Sequence, residues 1–242
     1  QPLHMPCLFE FVYFSRPDSS IDKISVHKSR LRMGDFLGRK ILKEHPNLNV
    51  DVVIPIPDTS RTSAMQVAFA LGVKYREGFM KNRYIGRTFI MPGQRIRKQS
   101  VKQKLNPIEI EFRDKRVLLI DDSIVRGHTS KNIVKMVRAC GAKKVFLASA
   151  SPPIRHQNVY GIDMPATKEL VGYNRSVEEI KTYINADELI YQDLEDLKCA
   201  ASIGNPKVTK FEDSVFTGKY RVGNITNDFL KNLEDTRSNL SK

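Results

Sequence analysis

Apolar residues in this chain gather into short unbroken runs that alternate with stripes at helical spacing. Runs at residues 52–54 with Ile56, 73–79, 117–120, 144–150 and 189–191 predict buried strands. Between them, Val26, Leu31, Met33, Phe36, Leu37, Ile41 and Leu42 predict a helix over 26–44, with Pro46 stopping it. A second helix is expected over 62–71, with Gly72 at its end. A third follows residue 130, where Ile133, Val134, Met136 and Val137 give it a buried face, Thr129 or Ser130 caps it and Gly141 closes it. Further helices are expected over 166–171, over 176–183, where Ser176 and Glu179 make a capping-box pattern, and over 194–201. The aromatic-rich residues 8–14 read as a strand or a buried extended segment, and 158–165 as a short strand and turn. The tail beyond Phe211 mixes turn residues with polar helix formers and ends in a charged stretch that is expected to fray. Strand and helix signals in alternation give an α/β fold: a mainly parallel central sheet flanked by helices.

Two strand ends carry polar loops. The run 117–120 leads into the adjacent carboxylates Asp121 and Asp122, then a small-residue turn to Gly127 and a helix start. In open parallel sheets, ligands bind beyond the carboxyl ends of the strands, and a helix amino terminus attracts phosphate. The carboxylates would repel phosphate, so they suit sugar hydroxyls or Mg2+. The second strand end repeats the arrangement at lower specificity. Pro55 and Pro57 take the chain out of the sheet, and Asp58, Thr59 and Ser60 precede the next helix. A helix cap alone would explain that loop, but a ligand with two anionic groups needs two such sites.

The chain of 242 residues is long enough for one core or a core with an appendage. No apolar run approaches the ~20 residues that cross a bilayer, and no charged segment precedes an apolar one at the start, so no membrane partner is expected. Cys7, Cys140 and Cys199 are odd in number, far apart and without a C-x-x-C pair, which points to a reducing, cytoplasmic setting. The net charge of +13 is largely local. Residues 81–108 contain no acid and eight bases (Lys81, Arg83, Arg87, Arg95, Arg97, Lys98, Lys102, Lys104), leaving +5 elsewhere. This long basic segment, interrupted by Gly86, Pro92 and Gly93, reads as a lid over phosphates or as a solvated surface. No G-x-G-x-x-G occurs, and residues 34–40 fall one short of phosphate-loop spacing. The five histidines show no metal spacing with the cysteines.

The stretch VLLIDDSIVRGHTS at residues 117–130 resembles the signature of the phosphoribosyltransferases. CLFEFVYFSRPDS (7–19), VVIPIPDTS (52–60), GFMKNRYIGRTFIMPGQ (78–94) and VYGIDMP (159–165) are similar to the carboxyl-terminal half of the amidophosphoribosyltransferase family in particular. The resemblance implies the type I phosphoribosyltransferase fold with a small hood and a flexible lid at 81–105, spanning the chain as one domain. Residues 1–20 would form the junction to a glutaminase domain and 212–242 a C-terminal tail. It implies a pentosyl transfer in which ammonia displaces pyrophosphate from phosphoribosyl pyrophosphate, giving phosphoribosylamine in purine nucleotide synthesis. Asp121 and Asp122 would hold ribose hydroxyls and, with Thr59, Mg2+. Ser123, Ile124, Val125, Arg126, Gly127, His128 and Thr129 would surround the 5′-phosphate, and Asp58, Thr59 and Ser60 the pyrophosphate. Lys81, Arg83 and Tyr84 would stand beside the substrate as catalytic residues.

Two departures qualify the resemblance. Nothing corresponds to the family's amino-terminal glutaminase domain, so only ammonia-dependent activity is expected, and the aromatic residues 8–14 would be left exposed and prone to aggregate. Some members carry a four-cysteine iron–sulfur cluster; Cys7 matches one position, but Asn158 and residues 212–215 lack the other cysteines, so no cluster is expected. The resemblance further implies a homo-oligomer inhibited by purine nucleotides. Two competing readings are a regulatory module that only senses phosphoribosyl pyrophosphate and a nucleic-acid binder using residues 95–104. The first lacks a helix-turn-helix signal ahead of Leu8, and no nucleic-acid partner is expected.

Overall fold

The structure, a computed structural model, describes residues 4–81 and 105–240, the last four of these by backbone alone. The amino-terminal aromatics are helical rather than extended: Leu8 and Phe9 lead into a π-helical turn, Glu10–Phe14. Strand alternation would have split the apolar set between two faces, whereas helical winding puts Leu8, Phe9, Phe11 and Val12 together in the core. The expected exposure of this segment is therefore confined to its end, at Phe14.

A hairpin of β1 (Ser20–Ile21) and β2 (Ile24–Ser25) leads into α1 (Val26–Glu44), whose Ser25 cap accepts from the Lys28 N–H. Then come β3 (Val52–Pro55), α2 (Arg61–Leu71), β4 (Lys74–Tyr75), β5 (Phe79–Lys81) and β6 (Leu105–Pro107). After them follow β7 (Arg116–Asp121), α3 (His128–Ala139), β8 (Lys144–Ser149), α4 (Val177–Ile184), β9 (Glu188–Tyr191), α5 (Leu194–Ser202), α6 (Ser214–Thr217) and α7 (Asn227–Leu240). Among the described residues, no helix is long and apolar enough to cross a membrane.

The central sheet has the order β4-β3-β7-β8-β9 with every pairing parallel. Helices cover both faces, which is why its strands read as continuous apolar runs. On one face Leu118, Ile120, Ala148 and Ile190 pack with α1, α2, α5 and the amino-terminal aromatics. On the other, Val117, Leu119, Val145 and Leu147 meet Ile133, Val134 and Val137 of α3 and Ile180 and Ile184 of α4. Each fully buried leucine here contributes roughly 1.5–3 kcal/mol of transfer free energy. Helices α1 and α2 touch backbone to backbone at Gly34, where a Cβ would stand 2.3 Å from the Ser63 carbonyl oxygen.

Several expectations change. Pro55 stays in the sheet opposite Ile120, and the chain leaves after the Ile56 N–H donates to the Ile120 carbonyl. The missing donor is tolerated because Pro55 faces the β4 side, and β4 reaches no further than Val53. The run 73–79 divides at the polar pair Arg76 and Glu77: β4 joins the sheet edge, while β5 pairs antiparallel with β6 as a separate ribbon. Residues 158–165 form no strand, since the Asn158 side chain accepts from the Tyr160 and Ile162 N–H groups and curls the segment. Residues 166–171 hold a single 3-10 turn, Thr167–Glu169. The tail holds two helices, α6 and α7, the second running to Leu240 where fraying was expected, and Val215 and Phe216 are in the core.

Candidate active site

The carboxyl ends of β3 and β7 are neighbours in the sheet, so the two polar loops that follow them face each other. They come close: the Thr59 hydroxyl lies near enough to the Asp122 carboxylate to favour its charged form. The peptide between Pro57 and Asp58 is cis. Ser60 is fully buried and donates its hydroxyl to the Ile56 carbonyl, so its side chain shapes the loop and only its backbone is available to a ligand.

After β7, the Asp122 N–H donates to Asp121 Oδ1 (3.0 Å) and the Ser123 hydroxyl to Asp122 Oδ1 (2.7 Å). Burial pushes Asp122 up to about 6, against the pull of Ser123, Arg30 and Thr59. Burial, then the neighbouring Asp122 charge, raises Asp121 well above the usual carboxylate range. Two adjacent carboxyls whose charged forms are poorly solvated suit a cation or hydroxyl donors. Ile124 is buried as a core residue, and Val125 offers its carbonyl to the Val171 N–H. Arg126 is turned aside into an ion pair with Glu169 (2.8 Å).

The cap of α3 is Gly127, not the expected Thr129 or Ser130. Gly127 has φ +74°, and a Cβ there would meet Val171 at 2.9 Å, so the turn needs glycine. With no side chain folded over the helix end, the N–H groups of His128, Thr129 and Ser130, which precede the first intrahelical bond from Lys131 to Gly127, point into the loop. His128 Nδ1 lies 2.7 Å from the Tyr183 hydroxyl, with Lys131 over the same ring. Lys81, at the end of β5, pairs with Asp58. Arg83, Tyr84 and nearly all of the expected lid lie outside the described residues.

Residues 20–156, more than half of the chain, match the model of the phosphoribosyl transferase domain. The chain belongs to that family. It is 56% identical over 241 residues to the amidophosphoribosyltransferases of Pseudomonas aeruginosa and of Escherichia coli, in each case across 100% of this chain and 48% of the relative. It thus spans about half the length of the curated relatives it matches. Among solved structures, the B. subtilis glutamine phosphoribosylpyrophosphate amidotransferase complexed with ADP and GMP aligns with a TM-score of 0.77 and 40% identity, over 92% of this chain and 48% of that one. The phosphoribosyl transferase fold expected from the sequence is the one found.

Sequence reasoning missed several residues of this phosphoribosyl transferase site. Arg30 on α1 is buried, donates to the Phe11 and Ser15 carbonyls (2.9 and 2.8 Å), and faces Asp122 electrostatically. Its signal was visible: it falls on the helical stripe Val26, Arg30, Met33, Leu37, Ile41, all buried. Tyr191 aligns with Ser149 and, through it, with Asp121 across the sheet, and feels the Asp121 charge. Among the described residues, no group of three or more His, Cys, Asp or Glu is placed to hold a metal ion. Cys7 makes a backbone bridge with Glu212, and burial pushes its thiol up to about 12.

Proposed function

We propose that this chain is the phosphoribosyl-transferring half of an amidophosphoribosyltransferase and makes 5-phosphoribosylamine and pyrophosphate from phosphoribosyl pyrophosphate and ammonia. The observation that carries the reading is the pairing of β3 with β7, which sets side by side two strand-end loops, each leading to a helix amino terminus, with Thr59 near Asp122. A ligand with two anionic ends and a hydroxylated ring between them matches that cleft. The N–H groups from 123 to 130 take the 5′-phosphate, Asp121 and Asp122 accept from the ribose hydroxyls, and the Asp58–Thr59–Ser60 loop takes the pyrophosphate at the start of α2.

The site also fits Mg2+, which prefers one or two carboxylates together with substrate oxygens and water. Asp121, Asp122 and the Thr59 hydroxyl would hold it, and when bound it neutralises charge on the leaving pyrophosphate. The residues do the rest. As the C1–oxygen bond breaks, negative charge grows on pyrophosphate and positive charge on the ribose, so Lys81, Arg83 and Tyr84 beside the leaving group lower the barrier. Ammonia forms the new C1–nitrogen bond and gives up one proton. A lid formed by residues 81–105 would keep out water that competes at C1.

In the whole protein an amino-terminal glutaminase domain would deliver the ammonia, and purine nucleotides would inhibit at or beside this cleft, as the ADP and GMP of the B. subtilis relative suggest. We read the protein as a cytoplasmic homo-oligomer without an iron–sulfur cluster. The test is pyrophosphate release from phosphoribosyl pyrophosphate with Mg2+, comparing ammonium chloride, glutamine and no nitrogen donor. Release with ammonium, absent with glutamine and lost in Asp122→Asn, is expected; tight binding without release would make the chain a sensor instead.

A further inference from the structure

A chain of charges runs away from the Asp58 loop. Asp58 pairs with Lys81 on one side and stands 3.5 Å from the Arg61 guanidinium on the other. Arg61, the first residue of α2, also reaches Glu77 (3.4 Å), and Glu77 accepts from the Tyr75 hydroxyl (2.5 Å). Two cations and two anions alternate here, anchored at β4 by the tyrosine.

The arrangement has a consequence for ligand entry. Lys81 cannot serve a bound pyrophosphate while it neutralises Asp58, and once it leaves, Asp58 would stand bare beside an incoming polyanion. Arg61 already lies within reach of Asp58 and can take over its charge. Glu77 opposes this by competing for the same guanidinium. We propose that Arg61 is a positioning residue for the pyrophosphate loop: it takes Asp58 over from Lys81 when the anion binds, and Glu77 sets how readily it does so.

The inference rests on the reading of Asp58–Ser60 as the pyrophosphate loop, and the experiment separates the two. Inorganic pyrophosphate with Mg2+ is titrated calorimetrically into the full chain and into R61Q, E77Q, D58N and the double variant D58N/R61Q. KM and kcat for phosphoribosyl pyrophosphate with ammonium are measured alongside.

All four groups are substantially exposed, so the effects are modest. R61Q should weaken pyrophosphate binding roughly two- to fivefold, and E77Q should tighten it by a smaller factor. Both should act on KM with kcat nearly unchanged. The deciding comparison is the double variant: with Asp58 neutral, removing Arg61 should change binding by less than about 1.5-fold, because its partner is gone. An equal loss from R61Q in both backgrounds would mean that Arg61 meets the anion directly or acts through its charge alone, and would overturn the proposal, as would R61Q binding like the parent. A parent chain that does not bind pyrophosphate at all would instead remove the loop assignment, and the inference with it.

Discussion

The most informative single perturbation is one methyl group at Gly34. An alanine Cβ would lie 2.3 Å from the Ser63 carbonyl oxygen, 2.7 Å from its Cα and 2.8 Å from its carbonyl carbon. All three are backbone atoms, so no rotamer change relieves the overlap and α2 itself must move. Restoring ordinary contact requires a displacement of about 1 Å, since the oxygen must retreat to roughly 3.4 Å. Overpacking of this kind costs about 3 kcal/mol at the upper end, and the better helix propensity of alanine returns about 1 kcal/mol, leaving about 2 kcal/mol of destabilisation. For a chain of this length that lowers Tm by roughly 4–8 °C. The displaced helix begins at the Asp58–Ser60 loop and carries Thr59 away from Asp122, so KM for phosphoribosyl pyrophosphate should rise while the fold survives. Differential scanning calorimetry and steady-state kinetics on Gly34→Ala test both parts. A variant that melts within 1 °C of the parent, with unchanged KM, would refute the claim that the α1–α2 contact sets the loop.

Other expectations concern charge. Because the folded value of Asp122 lies near 6, above the ordinary carboxylate value, the folded chain binds the extra proton between roughly pH 4 and 6, and stability falls as pH rises through that window. Asp122→Asn should lessen the decline, leaving the part that belongs to Asp121, raise stability above that of the parent at pH 7 in denaturant titrations, and reduce ammonia-dependent turnover about 100-fold or more. Arg30→Met leaves the Phe11 and Ser15 carbonyls without their donor and should cost about 2–4 kcal/mol by urea unfolding, while moving the Asp122 titration upward in carboxyl NMR. Asp51 is held down to about 2 by Arg116, so its stabilisation is present above pH 4 and disappears as pH falls through 2. Both side chains are about a third exposed, and Asp51→Asn should therefore cost only about 1 kcal/mol at pH 7, an effect absent below pH 2.

The central sheet was legible because strands buried on both faces leave continuous apolar runs; residues 52–54 and 117–120 fell where β3 and β7 are. Helix α1 matched its expected bounds, since Ser25 and Pro46 mark both ends. The amino-terminal turn was misread because five aromatic or β-branched residues among 8–14 favour strands locally, and the burial that overrides this comes from Phe211 and Phe216, two hundred residues away. The cap of α3 was misplaced for a related reason: hydroxyl residues at 129 and 130 suggested a side-chain cap, but the tight approach of Val171 demands Gly127. The acidic pair and the Asp58 loop were readable as residues, but their closeness was not, because it depends on β3 and β7 being neighbours. Arg61, Glu77 and Tyr75 left no local signal, since each is an ordinary surface residue until the sheet edge brings them together.

Arg30 ties together two parts of the molecule that are remote in sequence. Its guanidinium holds the carbonyls of the amino-terminal turn while its charge favours the ionised form of Asp122. Thermodynamic reciprocity then works in both directions. Whatever loosens or tightens the turn must alter the proton affinity of Asp122, and whatever binds Asp122 must alter the order of the turn by the same free energy. The amino-terminal turn and the Asp122 carboxylate therefore report on each other through one side chain, with no movement of the sheet between them.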